Sequence, residues 1–159
     1  MRVLAHIHTY NEAEFIGQAL SALQRQTRAP DAIVIVDNVS TDGTLDRKFP
    51  ENTTIIRNSE NIGTVGSVAV GLTHALKEKF DWTWLLDADS VPEPDALANL
   101  LSFFESLSSS EQEQLCFLGC RLGSGSGGAD HRPHLLTVSG VDRLSVDTEV
   151  DHCQCDCFI

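Results

Sequence analysis

Trp82-Thr-Trp-Leu-Leu-Asp-Ala-Asp-Ser-Val-Pro92 is almost wholly apolar as far as Leu86, then stops in two carboxylates one residue apart, with a proline close behind. As a strand, Trp82 to Leu86 would lie in a core, and Asp87 and Asp89 would emerge at its carboxyl end. Open α/β sheets place their ligands at that end. An Asp-x-Asp at a strand end aims two hard oxygen ligands at one point, which suits Mg²⁺ or Mn²⁺ and the phosphates such ions bridge. Asp and Ser are also common turn formers, so alone the stretch reads as readily as an ordinary turn.

Two earlier segments have the same form. Arg2 to His8 reads as a first buried strand and gives way to Thr9-Tyr10-Asn11-Glu12. Asn11 is a candidate cap for the next helix, with Glu14 completing a capping box. Ile16, Ala19, Leu20 and Leu23 fall at i, i+3, i+4 and i+7, one apolar helical face. That helix is expected to stop near Thr27, because Pro30 disfavours helix in the residue before it. Ala32 to Asp37 is a second, β-branched strand that again ends in a carboxylate. Strand, helix, strand over this span is a βαβ unit, hence a parallel pair with a right-handed crossover. Asn38 to Thr44 is a polar loop with a turn signal at Asp42-Gly43.

Thr53 to Arg57 is a short third strand. Beyond it Val65, Val68, Leu72 and Leu76 recur at helical spacing, with Gly66 and Gly71 between them. Each interior glycine costs a helix ~1 kcal/mol against alanine, which points to close backbone approach to a ligand or a neighbouring strand. Pro94 suits a helix start, and Leu97, Leu100, Leu101 and Phe104 give that helix an apolar face. Further strands are expected at Leu115–Cys120 and Leu135–Ser139, and a period-two stretch runs from Glu149 to Ile159, with a Gly/Ser loop at Gly123–Gly128. The expected fold is a single α/β domain over residues 1–159, with a mostly parallel central sheet in three layers.

Three apolar strands therefore end in carboxylate-bearing loops: Thr9 to Glu12, Asp37 to Asp42, and Asp87 to Asp89. In a parallel sheet these ends converge on one rim. A carboxylate such as Asp37 can accept from a base N–H or a ribose hydroxyl, and Asp89 can ligate a metal that neutralises a diphosphate. The physical task such a rim suits is holding a nucleotide.

Charge narrows the classes. The formal net charge is -12. Residues 1–80 hold nine acids against eight Lys and Arg, whereas residues 81–159 hold fourteen against three Arg, and no lysine follows Lys79. So acidic a chain is a poor candidate for binding nucleic acid through a basic face. There is no apolar run near the ~20 residues of a membrane span, and the start lacks a signal peptide's long apolar region. These features favour the cytoplasm, with the inner face of the membrane as the nearest alternative. The five cysteines all lie at or after Cys116. An odd number argues against a disulfide framework.

Thr-Tyr-Asn-Glu at 9–12, Val-Asp-Asn-x-Ser-Thr-Asp-Gly-Thr at 36–44, Asn-x-Gly-x-x-Gly at 61–66 and Leu-Leu-Asp-Ala-Asp at 85–89 together resemble family 2 glycosyltransferases. Order and spacing match through about residue 105, closest in flavour to rhamnosyl- and galactofuranosyl-transferase-like members. The resemblance implies a GT-A fold and transfer of a sugar from a UDP- or dTDP-sugar to a glycan or lipid-linked acceptor, with Mg²⁺ or Mn²⁺, in cell-envelope or polysaccharide synthesis. It implies that Thr9 and Glu12 lie beside the base and ribose, that Asp37 reads the base, and that Asp87 contacts the ribose or sugar. It makes Asp89 the metal ligand. Tyr10, Asn38, Arg57, Asn61, Gly63 and Ala88 would line the nucleotide-sugar pocket. No residue is implied as the catalytic base.

Two departures stand out. The family often has a Gly-Gly pair and a polar residue after Gly66, where Ser67-Val68 follows here. The acceptor half normally lies beyond residue 159, so the resemblance implies donor-binding units over 1–107 and the incomplete start of an acceptor half over 108–159. A chain of that extent is expected to bind donor without transferring sugar. Its last strand, with Cys153, Cys155, Cys157 and Phe158, is expected to be an uncovered edge through which copies dimerise or aggregate, and the longer protein is expected to associate peripherally with a membrane.

Two other readings compete. Asp87-Ala-Asp-Ser-Val91 also fits the nucleophile motif of a haloacid-dehalogenase-like phosphatase. Those enzymes need a downstream lysine and acidic pair, and neither follows. His152, Cys153, Cys155 and Cys157, with Cys116 and Cys120, are possible zinc ligands, although Cys-x-Cys-x-Cys also has the periodicity of a strand facing a core. His6 and His8 alternate on the first strand and read as satisfied polar groups near its end.

Overall fold

The structure, a computed structural model, describes residues 1–115 and three short strands beyond them, 117–119, 134–136 and 157–158. In chain order the elements are β1 (Val3–Thr9), α1 (Ile16–Gln24), β2 (Ala32–Asp37), β3 (Thr53–Arg57), α2 (Gly63–Lys77), β4 (Trp82–Asp87), α3 (Ala96–Ser106), α4 (Ser109–Gln114), β5 (Phe117–Gly119), β6 (His134–Leu136) and β7 (Cys157–Phe158). They form one sheet ordered β3-β2-β1-β4-β7-β5-β6. The first four strands by chain order pair with one another in parallel. β7 runs antiparallel to both β4 and β5, and β5 antiparallel to β6.

β1 and β2 are buried on both faces, which is why β2 reads as a continuous apolar run and β1 as one broken only by His6 and His8. One face packs Ile7, Ile33, Ile35, Trp84 and Leu86 against Ile16, Leu20 and Leu23 of α1 and Leu97 and Leu100 of α3. The other packs Leu4, Val34 and Val36 against Ala75 of α2. Trp82 and Phe104 close the first layer edge to face, centroids 4.9 Å apart. The strand starts are tied by carboxylates. Asp31 accepts from the Val3 amide at 2.7 Å, and Asp81 accepts from the Arg2 amide at 2.7 Å.

Three local expectations are corrected. Asn11 does not cap α1. It adopts a left-handed φ of 57°, and its side-chain oxygen accepts from the Thr41 amide at 2.8 Å. A turn through residues 13–15 delays the helix to Ile16, and the Glu12 carbonyl accepts from Phe15 and Ile16. The apolar stripe of α2 is not the face it buries. Val65 is 85% and Leu76 79% exposed, while Ser67, Gly71 and Ala75 are buried. A β-carbon on Gly71 would stand 1.9 Å from His6 Cδ2, so the helix lies too close to β1 for a larger side chain there. Finally, β7 is no edge. It lies between β4 and β5, and the outer strands of the described sheet are β3 and β6.

Candidate functional site

β1, β2 and β3 step away in one direction, while β4 lies on the other side of β1. The order reverses between β1 and β4, and a crevice opens at the carboxyl ends beside such a reversal. Register brings the predicted loops together there. Thr9 pairs with Asp37 across β1 and β2, His8 with Asp87 across β1 and β4, and Asp37 with Arg57 across β2 and β3.

The loops after β1 and β2 interlock through residues of the two recognisable motifs. The Asn11 amide donates to Ser40 Oγ at 2.9 Å, the Glu12 amide to Thr44 Oγ1 at 2.9 Å, and the Ala13 amide to Asp42 Oδ2 at 3.0 Å. Thr44 in turn donates to Asp42 through its hydroxyl and its amide. These bonds, first that from the Thr44 hydroxyl and then that from the Ala13 amide, hold the Asp42 carboxyl below its ordinary range. Asn38 fastens the rest. Its side-chain oxygen accepts from Asn58 at 2.9 Å and from the Ile62 amide at 3.3 Å. Asn61 then turns the chain into α2 by accepting from the Gly63 amide at 2.9 Å, and Gly63 has a φ of +70° that only glycine adopts readily.

Within this frame the predicted site residues divide. Asp37 is fully buried. Its carboxylate accepts from the Ser40 amide at 3.2 and 3.3 Å and pairs with Arg57 Nε at 3.5 Å, while Arg57 also donates to the Ser40 carbonyl at 2.8 Å. Thr9 is buried beside it, and its hydroxyl has no hydrogen-bond partner among the described residues. Tyr10 is half exposed, Ala88 is buried, and Asp89 is exposed. Asp87 receives His8 Nε2 at 3.2 Å, with the Ser90 hydroxyl on its amide at 3.1 Å.

Electrostatics mark the same spot. Partial burial, then the charges of Asp89, Asp42 and Asp87, raise the Glu12 carboxyl above its ordinary range. Four carboxylates from three loops are thus close enough at this rim to act on one another. Hard oxygen donors gathered at one rim suit a divalent cation. Among the described residues, no three His, Cys, Asp or Glu side chains form a ready-made cage. A cation at exposed Asp89 would take most of its ligands from a diphosphate and water, the usual manner of Mg²⁺. At the opposite end of the sheet the contrast is clear. Burial acts to raise Asp31, but bonds from the Val3 amide and Arg28 outweigh it and hold that carboxyl low.

Sequence reading found the rim but not its scaffold. Ser40, Asp42, Thr44 and Asn58 hold the loops in place, and the signal for the first three was their presence in the same motif as Asp37. His8 was read as a satisfied polar group, which it is, yet its partner is a site carboxylate. An open cavity of about 500 Å³ between α1 and residues 47–51 contains none of the predicted site residues. Cys116, Cys120, His152, Cys153 and Cys155 lie outside the described residues, as do the side chain of Cys157 and the Gly/Ser loop. No described helix is long and apolar enough to cross a membrane.

Comparison with known proteins agrees with this geometry. Residues 5–140 match the family model described as glycosyl transferase family 2. The galactofuranosyltransferase GlfT1 of Mycobacterium tuberculosis is 33% identical over 114 residues, 69% of this chain and 38% of that protein. An undecaprenyl-phosphate mannosyltransferase of Micrococcus luteus is 31% identical over 64% of this chain and 43% of its own length. The chain thus spans well under half the length of these relatives. Among solved structures, the mannosyltransferase PcManGT of Pyrobaculum calidifontis, in complex with GDP-Man and Mn²⁺, superposes with a TM-score of 0.58 at 30% identity, over 65% of this chain and 32% of that one. TarS of S. aureus shares the fold, with a TM-score of 0.57 at 24% identity over 66% of this chain and 20% of its own.

Proposed function

The chain belongs to glycosyl transferase family 2, and from that premise we propose that its carboxyl rim binds the nucleoside diphosphate of an activated sugar, assisted by a divalent cation at Asp89. The family membership sets aside the phosphatase reading of Asp87-Ala-Asp-Ser-Val91. The observation that carries the proposal is the reversal of strand order at β1 and β4, which brings the loops bearing Glu12, Asp42, Asp87 and Asp89 to one rim. The GDP-Man and Mn²⁺ held by a structural neighbour at 30% identity support the ligand class.

Each residue then has a task. Asp37 and Thr9 form the floor on which a base would rest. A base N–H would compete with Arg57 for the Asp37 carboxylate, and the half-exposed Arg57 side chain can yield or add its own bond to the base. Asp87 accepts a ribose or sugar hydroxyl. Asp89, outermost of the pair, holds the cation, which when bound supplies charge stabilisation to a diphosphate leaving group. Glu12 adds negative charge across the crevice and strengthens the site's preference for a cation. The acceptor is a glycan or a lipid-linked molecule, a proposal supported by the lipid phosphate in the name of one relative.

Calorimetry with UDP, dTDP and GDP, each with and without Mn²⁺, tests the reading. Binding of at least one nucleotide that strengthens with Mn²⁺ is expected. Absence of binding at millimolar nucleotide with metal present overturns it.

A further inference from the structure

We propose that His8 is a positioning residue for the donor site, holding Asp87 so that one carboxylate oxygen faces the ligand while the other is engaged. The inference rests on the donor-binding reading above and deepens it.

The placement follows from register. His8 and Asp87 are neighbours across the parallel β1–β4 pair, so their side chains stand on the same face of the sheet. His8 Nε2 lies 3.2 Å from Asp87 Oδ1. No described residue is bonded to Asp87 Oδ2. The His8 side chain is 18% exposed and that of Asp87 37%, so the contact is shielded on the histidine side and open on the aspartate side.

What fixes His8 lies beneath it. Its ring stacks on that of His6, centroids 6.1 Å apart and planes 24° from parallel. His6 is fully buried. Its Nε2 sits 3.2 Å from the Ser67 carbonyl of α2, and Gly71 of the same helix is packed against the ring's edge. α2, His6, His8 and Asp87 thus form a continuous packed series from the far layer of the fold to the rim. A carboxylate at a strand end is otherwise free to rotate, and a ligand that needs one orientation must pay for freezing it. Holding Asp87 in advance removes that cost, the usual effect of preorganising a binding group. The two aspartates of Asp-x-Asp are thereby separated in role. Asp87 is committed on one side to His8, while Asp89 is free for a cation.

The test is a mutant cycle read by nucleotide affinity in the presence of Mn²⁺. His8→Phe keeps a flat ring on His6 but removes the N–H, and His8→Gln keeps a donor at similar reach. His8→Phe is expected to weaken nucleotide or nucleotide-sugar binding about five- to tenfold. His8→Gln is expected to stay within about twofold of wild type. His8→Phe combined with Asp87→Asn should bind no worse than Asp87→Asn alone, because the histidine acts only through that carboxylate. A merely structural histidine would not be rescued by glutamine and would show independent losses. If His8→Phe fails to fold, His8→Asn, whose shorter amide stops short of Oδ1, takes its place. Wild-type binding with an unaffected His8→Phe, or losses that multiply in the double variant, overturns the positioning role alone. Absence of wild-type binding overturns the donor reading and this proposal with it.

Discussion

Glu12 and Asp31 sit at opposite ends of the sheet, and their surroundings move them in opposite directions. Burial acts to raise Asp31, but an amide and an arginine outweigh it, as suits a carboxylate that closes a strand start. Glu12 is raised by burial and by three other carboxylates. A carboxyl whose folded pKa is raised keeps its proton longer in the folded state, so stability declines as pH rises from the unfolded value through the folded one. At neutral pH the charged Glu12 therefore strains the unliganded rim. Glu12→Gln is expected to raise the melting temperature of the unliganded protein by about 1–2 °C at pH 7, and to weaken Mn²⁺-dependent nucleotide binding; melts with and without Mn²⁺ and nucleotide check both. Asp89→Asn keeps the shape and removes the charge that faces the cation. It should reduce the Mn²⁺-dependent gain in affinity about tenfold or more, and equal affinity at saturating Mn²⁺ would refute its metal role. Asp37→Ala should instead blunt discrimination among UDP, dTDP and GDP.

At the scale of elements, α2 approaches the sheet through its smallest residues. Ser67, Gly71 and Ala75 recur every fourth position and let the helix settle onto His6. Gly71→Ala is therefore expected to destabilise the fold by about 2–3 kcal/mol, overriding the ~1 kcal/mol that alanine otherwise gains in a helix. Gly66→Ala should cost less, although its β-carbon would stand 2.8 Å from Ile62 Cγ1 and 2.9 Å from Ile62 Cβ, because Ile62 lies at the exposed start of the helix, where the chain can shift. Chemical denaturation of the two variants separates these outcomes. His6 adds a pH dependence. Burial first, then the neighbouring His8, lowers its pKa to about 4. Between that value and the unfolded 6.5 the unfolded chain takes up a proton that the folded one refuses, so stability falls as pH drops through this window, by roughly 3 kcal/mol at most. His6→Leu should flatten that part of the stability profile.

The same elements show how far sequence reaches. β1, β2 and β4 were legible because strands buried on both faces leave long apolar runs, and their terminal carboxylates marked the rim. The burial face of α2 was not. Helical spacing picked out Val65, Val68, Leu72 and Leu76, but periodicity cannot tell which stripe meets the sheet when a bulky buried residue such as His6 demands small ones above it. Nor was Asn11 legible as anything but a cap. Its partner, Thr41, is thirty residues away, and only the pairing of β1 with β2 brings them together. His8 was obscure for the same reason, since its contact depends on β4 lying beside β1.

For the whole molecule, the decisive feature is the reversal of strand order at β1 and β4. It gathers three loops that are distant in sequence and brings their carboxylates to one rim, while the carboxylates at the amino ends, Asp31 and Asp81, are spent on strand starts. A nucleotide bound there should stabilise the fold by mass action, about 2.7 kcal/mol at a hundredfold excess over its Kd, visible as a concentration-dependent rise in melting temperature. The central claim is a location, so the most direct measurement is one that maps it. In amide NMR spectra of the protein with UDP, dTDP or GDP, substoichiometric Mn²⁺ should broaden Asp87 to Ser90 first and Thr9 to Glu12 with them, leave Arg2, Asp31 and Asp81 sharp, and lose its effect in Asp89→Asn. Broadening centred on Asp31 and Asp81, or broadening at the rim that persists unchanged in Asp89→Asn, would contradict the account.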